Sequence, residues 1–126
     1  RVLFRSGHDA GDLVLKEVAK LLSKYANQND LVCRLGGEEF LILIRDTSME
    51  NVKKCALRIG EEIRELKLHY AGQSLGKLTF SQGLAMFPQH GNSFDALINA
   101  ADSALYQAKE SGRDRVIIYS EESVNA

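Results

Sequence analysis

Residues 36–40 read Gly-Gly-Glu-Glu-Phe, the strongest local chemical signal in the chain. Glycines let a backbone run close beside a phosphate chain. A carboxylate next to them is a hard oxygen donor that can hold a divalent cation against that chain. The same residues also read as a solvent-exposed acidic hairpin tip, and local physics leaves both readings open. Two further stretches frame this signal. Gly7-His8-Asp9-Ala10-Gly11-Asp12 precedes an amphipathic segment, and residues 101–114 run Ala-Asp-Ser-Ala-Leu-Tyr-Gln-Ala-Lys-Glu-Ser-Gly-Arg-Asp. Taken alone, Asp12 is an acid favoured at a helix N-terminus, and Lys109 with Arg113 are cations favoured at a helix C-terminus.

The elements that must position these residues follow from periodicity. Leu15, Val18, Leu22 and Tyr25 share one face of a helix expected over 12–26. Residues 30–35 and 39–45 read as two strands joined through Gly36-Gly37-Glu38, the glycines permitting a tight turn. The second strand is apolar at every position from 40 to 44, which predicts an inner strand covered on both faces. A second helix is expected over 48–66, with Thr47 and Glu50 as a capping box and Val52, Ala56, Ile59, Ile63 and Leu66 as its buried stripe. Residues 77–87 read as one strand, ended by Pro88 and Gly91. Residues 93–110 read as a third helix with Leu97, Ala101, Ala104 and Ala108 inward and Gly112 as its stop. Residues 116–119 form a last short strand. Hairpins mixed with helical crossovers indicate an α+β domain, ferredoxin-like or nucleotide-cyclase-like, with a mostly antiparallel sheet and flanking helices. That layout calls for a strand before the first helix, and residues 1–6 look too few to supply one.

Composition narrows the function classes. The 126 residues fit a single domain, 1–126, with a polar tail over 120–126. At 44% hydrophobic and 26% charged, the chain has the make-up of a folded soluble protein. Sixteen Lys and Arg balance seventeen Asp and Glu, for a net charge of -1. That argues against a nucleic-acid partner, while leaving room for a small basic pocket. The longest apolar run, residues 40–44, falls far short of the roughly 18 residues of a membrane span. Cys33 and Cys55 stand in no metal or redox spacing, which fits a reducing cytoplasm, although the protein that carries this chain could still be membrane-anchored.

From Gly7 to Val116 the three motifs, in this order, resemble the GGDEF family, the diguanylate cyclases of bacterial signalling. The resemblance implies condensation of two GTP molecules into cyclic di-GMP with release of pyrophosphate. Two domains face each other, so a homodimer is implied. The cofactor implied is Mg²⁺ or Mn²⁺. Glu38 matches the acidic third position of the signature, which implies a metal ligand that assists deprotonation of the attacking hydroxyl. Glu39 matches the fourth position and is implied in the metal shell. Gly36 and Gly37 match the glycines beside the ligand, and Asp12 matches the aspartate that receives the guanine edge. Lys109 and Arg113 match the basic pair on the terminal phosphates, a point charge and a planar fork. His8 matches the family without an implied catalytic role. Thr79, Ser81 and Gly83 match a structural strand pattern. A sensory domain N-terminal to the chain is also implied.

Three departures from the family pattern stand out. The metal-binding aspartate that the family carries on a strand before the first helix has no match here, so the domain is expected to be incomplete at its N-terminus. Residues 1–6 do not match that segment, and Leu3 stands where an asparagine contacts guanine. The Arg-x-x-Asp product-inhibition site reads Asn27-Gln28-Asn29-Asp30, a degenerate form without its arginine. The second functional reading is therefore a degenerate domain that holds GTP and regulates a neighbouring domain without catalysis.

Overall fold

The computed structural model describes residues 2–3, 8–25, 31–36, 39–44, 47–70, 72–74 and 78–120, with the backbone alone at 2–3, 8–12, 31–36, 39, 43 and 70. It divides into two compact units, residues 1–80 and residues 81–126.

The first unit is built on two helices, α1 (His8–Tyr25) and α2 (Met49–Glu65). Helix α1 starts four residues earlier than its apolar spacing predicts. Its inward face carries Val14, Val18 and Leu22, all fully buried, with Leu15 nearly so. Helix α2 buries Ala56, Ile59, Gly60 and Ile63. Leu78 and Phe80 complete the core, and Cys55 packs partly buried against it as a small apolar group. The cap of α2 is Ser48, whose Oγ accepts from the Asn51 N–H at 3.2 Å; this replaces the Thr47–Glu50 box expected from sequence. Either hydroxyl residue could cap a helix, and the first helical turn decides which one does.

Among the described residues three antiparallel pairs belong to this unit. Strand β1 (Val2–Leu3) pairs with β6 (Thr79–Phe80), β2 (Leu31–Gly36) with β3 (Glu39–Leu43), and β4 (His69–Tyr70) with β5 (Gln73–Ser74). A strand does precede α1, contrary to expectation: two residues suffice because its partner β6 is equally short. The β4–β5 hairpin turns through Gly72 at φ +80°. Strand β3 pairs only with β2 among the described residues, so the inner strand expected there is not seen. Its apolar run serves instead to pack Phe40 and Ile42 against the helical core, while Leu41 is half-buried.

In the second unit β7 (Gln82–Leu84), α3 (Phe94–Glu110) and β8 (Val116–Ile118) form a β-α-β turn of chain with the strands parallel. A helix between two strands returns the chain in the same direction, hence the parallel pair. The single strand expected over 77–87 is two strands, because β6 and β7 take different partners on either side of Ser81. Helix α3 is capped by Ser93 and buries Ala100, Ala104 and Ala108. These small side chains let the helix lie close to β7. At Gly83 a Cβ would stand 2.2 Å from the Ala101 carbonyl oxygen. The loop after β7 is held by His90, whose Nδ1 accepts from the Met86 N–H at 2.9 Å and whose ring meets Tyr119 edge-on at 5.6 Å. Among the described residues no helix is long and apolar enough to cross a membrane.

Candidate functional site

The Gly-Gly-Glu-Glu segment begins at the end of β2. Gly36, the last residue of that strand, is the cross-strand partner of Glu39, the first of β3. The register shifts between Arg34 and Gly36. Such irregularities bend a strand and re-aim the residues beside them, and they recur next to functional sites. The ladder therefore brings Gly36 and Glu39 together at one end of the hairpin. Gly37 and Glu38 lie outside the described residues, as do Asn27 and Asp30 of the degenerate inhibition motif. Among the described residues no cluster of three or more His, Cys, Asp or Glu could hold a metal ion.

Asp12 sits one turn into α1, since the helix opens at His8. Its reading as a plain N-terminal acid is weakened by this, because the helix-dipole effect fades beyond the first turn.

The structure gathers Lys109 and Arg113 at the C-terminal end of α3. Lys109 is in the last helical turn and half-buried, whereas Arg113 is exposed beyond the cap. The end of the helix is closed twice over. The Gly112 N–H donates to the Lys109 carbonyl at 3.4 Å, and the Arg113 N–H to the Ala108 carbonyl at 2.8 Å. This is the paired closure that a glycine beyond the cap supports, and Gly112 adopts φ +119°. The stop expected at Gly112 is thus where the helix ends. Arg113 and Asp114 then continue in the left-handed region at φ 64° and 47°. That conformation costs an ordinary side chain such as that of Arg113 about 1–2 kcal/mol, and an aspartate less, so contacts that hold the turn matter.

Those contacts come from residues outside the sequence-derived site. Ser81 is fully buried, and its Oγ accepts from the Asp114 N–H at 3.1 Å. The Gln82 N–H donates to the Arg115 carbonyl at 2.9 Å, and Arg115 Nε donates to the Arg113 carbonyl at 3.0 Å. In sequence Ser81 is marked only as a hydroxyl residue beside Thr79 on one side of the expected strand, and its partner lies 33 residues away. A cavity of about 290 Å³ also lies in this unit, lined by His90, Ala96, Asn99, Ala100, Ser103 and Tyr119. None of the sequence-derived candidates lines it.

Comparison with known proteins places these local arrangements in a family. The family described as "Diguanylate cyclase, GGDEF domain" matches residues 4–115. Diguanylate cyclase A of Treponema denticola is 36% identical over 112 residues, covering 89% of this chain and 30% of the relative. Response regulator PleD of Caulobacter vibrioides is 39% identical over 119 residues, covering 88% of this chain and 25% of the relative. The chain thus spans less than a third of the length of these curated relatives. Among solved structures, the GGDEF domain of DgcB from Caulobacter crescentus, in complex with c-di-GMP, matches with a TM-score of 0.83 at 31% identity, covering 89% of this chain and 66% of that one. The active GGEEF domain of a diguanylate cyclase from Vibrio cholerae matches with a TM-score of 0.79 at 30% identity, covering 91% of this chain and 72% of that one. The motif order read from sequence, the α+β elements and these matches agree: the chain belongs to the GGDEF family of diguanylate cyclases.

Proposed function

We propose that this chain is the catalytic domain of a diguanylate cyclase, binding one GTP and joining it to a second GTP held by another copy. The observation that best supports the reading is the β2–β3 ladder closing on Gly36 opposite Glu39, with only Gly37 and Glu38 between the strands. A ladder that closes there sets Gly36 and the start of β3 at Glu39 against each other at one end of a hairpin.

In the reaction the 3′-hydroxyl oxygen of each ribose bonds to the α-phosphorus of the other nucleotide. The bond from that phosphorus to the bridging oxygen breaks, and pyrophosphate leaves. Glu38 accepts the hydroxyl proton. Asp12 takes the N1–H and exocyclic amine of guanine, donors that adenine does not offer in that pattern. Arg113 and Lys109 grip the terminal phosphates. Positioning and charge neutralisation carry most of such a transfer. The adjacent carboxylates Glu38 and Glu39 are hard oxygen donors that fit Mg²⁺ or Mn²⁺, and the ion would neutralise phosphate charge when bound.

The test is incubation of the full-length protein with GTP and Mg²⁺ and detection of cyclic di-GMP. Glu38→Gln is expected to reduce product by about 100-fold or more while GTP still binds. Product at the wild-type rate would contradict the role given to Glu38. GTP binding by the wild type without product would favour a regulatory module, the reading that Leu3 supports.

A further inference from the structure

We propose that Ser81 is a positioning residue for the phosphate grip: its buried hydroxyl holds the left-handed Arg113–Asp114 turn, and through it the direction in which Arg113 leaves the end of α3. The inference rests on the reading of Arg113 as a ligand of the GTP phosphates.

Three observations carry it. Arg113 and Asp114 are consecutive non-glycine residues at φ 64° and 47°; aspartate tolerates this region as a single residue, but two in succession, one of them an arginine, need support from outside. A turn without that support would be free to rotate the peptide that aims Arg113. Ser81 is the only buried polar residue among those described, and the core is an expensive place for a hydroxyl unless it is satisfied. Its Oγ receives the N–H of Asp114, the residue whose backbone has to be kept left-handed. Finally, Arg113 is fastened on its other side as well, its N–H on the Ala108 carbonyl and its carbonyl on Arg115 Nε. The Arg113 backbone is thus bounded by α3 before it and by Ser81 after it. Only the side chain is left to move, which lowers the ordering cost of closing a guanidinium fork on phosphate oxygens.

The experiment compares binding of 3′-deoxy-GTP, which lacks the attacking hydroxyl, with binding of the corresponding monophosphate to the full-length protein. The wild type is expected to prefer the triphosphate. Arg113→Ala should reduce that preference about tenfold or more. Ser81→Ala should reduce it about three- to tenfold, with monophosphate affinity unchanged, and should add nothing in an Arg113→Ala background. Ser81→Thr, which keeps the hydroxyl, should restore the preference. Should Ser81→Ala not fold, Gly112→Ala strains the same turn from its exposed side at φ +119° and should lower the preference in the same way. A Ser81→Ala protein that keeps the full preference, or that loses affinity for both nucleotides equally, overturns the positioning role; in the substitute arm, an unchanged preference in Gly112→Ala does so. A wild type with no preference for the triphosphate overturns the phosphate grip itself, and this inference with it.

Discussion

A Cβ added at Gly83 would stand 2.2 Å from the Ala101 carbonyl oxygen and 2.3 Å from the Leu105 nitrogen, both backbone atoms of α3. Neither can swing aside as a side-chain tip can, so Gly83→Ala must push helix and strand apart. The expected cost is about 1–3 kcal/mol or more, read as a lowered urea midpoint at unchanged slope. Gly72 supplies the control. It sits at φ +80° with nothing within 4 Å of an added Cβ, so Gly72→Ala carries only a backbone cost of about 1–2 kcal/mol. A Gly83→Ala protein as stable as the wild type would mean that the strand does not lie so close to the helix. Sequence identifies both glycines and cannot tell their roles apart. The neighbours that make Gly83 irreplaceable come from another element, whereas the need at Gly72 is local to its turn. Ser81 is a similar case: its type was readable, but its partner Asp114 is distant in the chain.

Helices were the most legible elements, because their signal repeats within one turn. All three formed, with ends within a few residues of expectation, and the third stopped at Gly112 as its glycine required. Strands were less legible because pairing is non-local. Residues 77–87 read plausibly as one strand, yet the chain changes partner at Ser81. Caps show the intermediate case: the expected Thr47–Glu50 box is replaced by a simple Ser48 cap one residue on. Ser48→Ala is expected to destabilise α2 by about 1 kcal/mol, while Thr47→Ala leaves the thermal midpoint nearly unchanged. The α1–α2 contact adds a pH dependence. Tyr25 Oη donates to Glu62, and Lys24 Nζ bonds the same carboxylate at 2.9 Å. The bond from Tyr25 and then that from Lys24 hold the Glu62 carboxyl below its ordinary value. The unfolded chain therefore binds this proton more readily, and the stabilisation is complete above about pH 4.5 and fades as pH falls through the lowered value. For Tyr25 the sign is opposite. Its bond to Glu62, with burial, raises the phenol above 10.0, so its contribution is present below that pH and fades as pH rises through the raised value. Thermal midpoints measured across pH should therefore fall off more gently at both ends in Glu62→Gln than in the wild type. Identical acid and alkaline limbs in the two proteins would show that the Tyr25–Glu62 pair does not set them.

At the scale of the whole molecule, the family was legible because three short segments occur in its order along one chain. If the family's inhibition motif falls at residues 27–30 as the sequence resemblance implies, Asn27 replaces its arginine, and an amide neither stacks on guanine nor forks onto phosphate with comparable strength. Inhibition of the full-length protein by cyclic di-GMP is therefore expected to be weak, and Asn27→Arg should strengthen it. Inhibition in the low-micromolar range through this surface in the wild type would count against that expectation. The count of motifs carries a second consequence. The proposed product has two equivalent halves, each formed by the same attack on the same kind of phosphate. The chain holds one Gly-Gly-Glu-Glu segment and one Lys109–Arg113 pair, which in the proposed roles serve one nucleotide. A reaction with a two-fold axis is most simply served by two copies related by that axis, each presenting its GTP to the other. Specific activity of the full-length protein should then fall as the protein is diluted through its dimer dissociation constant. It should fall further on mixing with excess Glu38→Gln protein, which would occupy one half of each pair. Activity per chain that stays constant under both dilution and mixing would show that a single copy completes both bonds, and the one-nucleotide assignment of these residues would then be wrong.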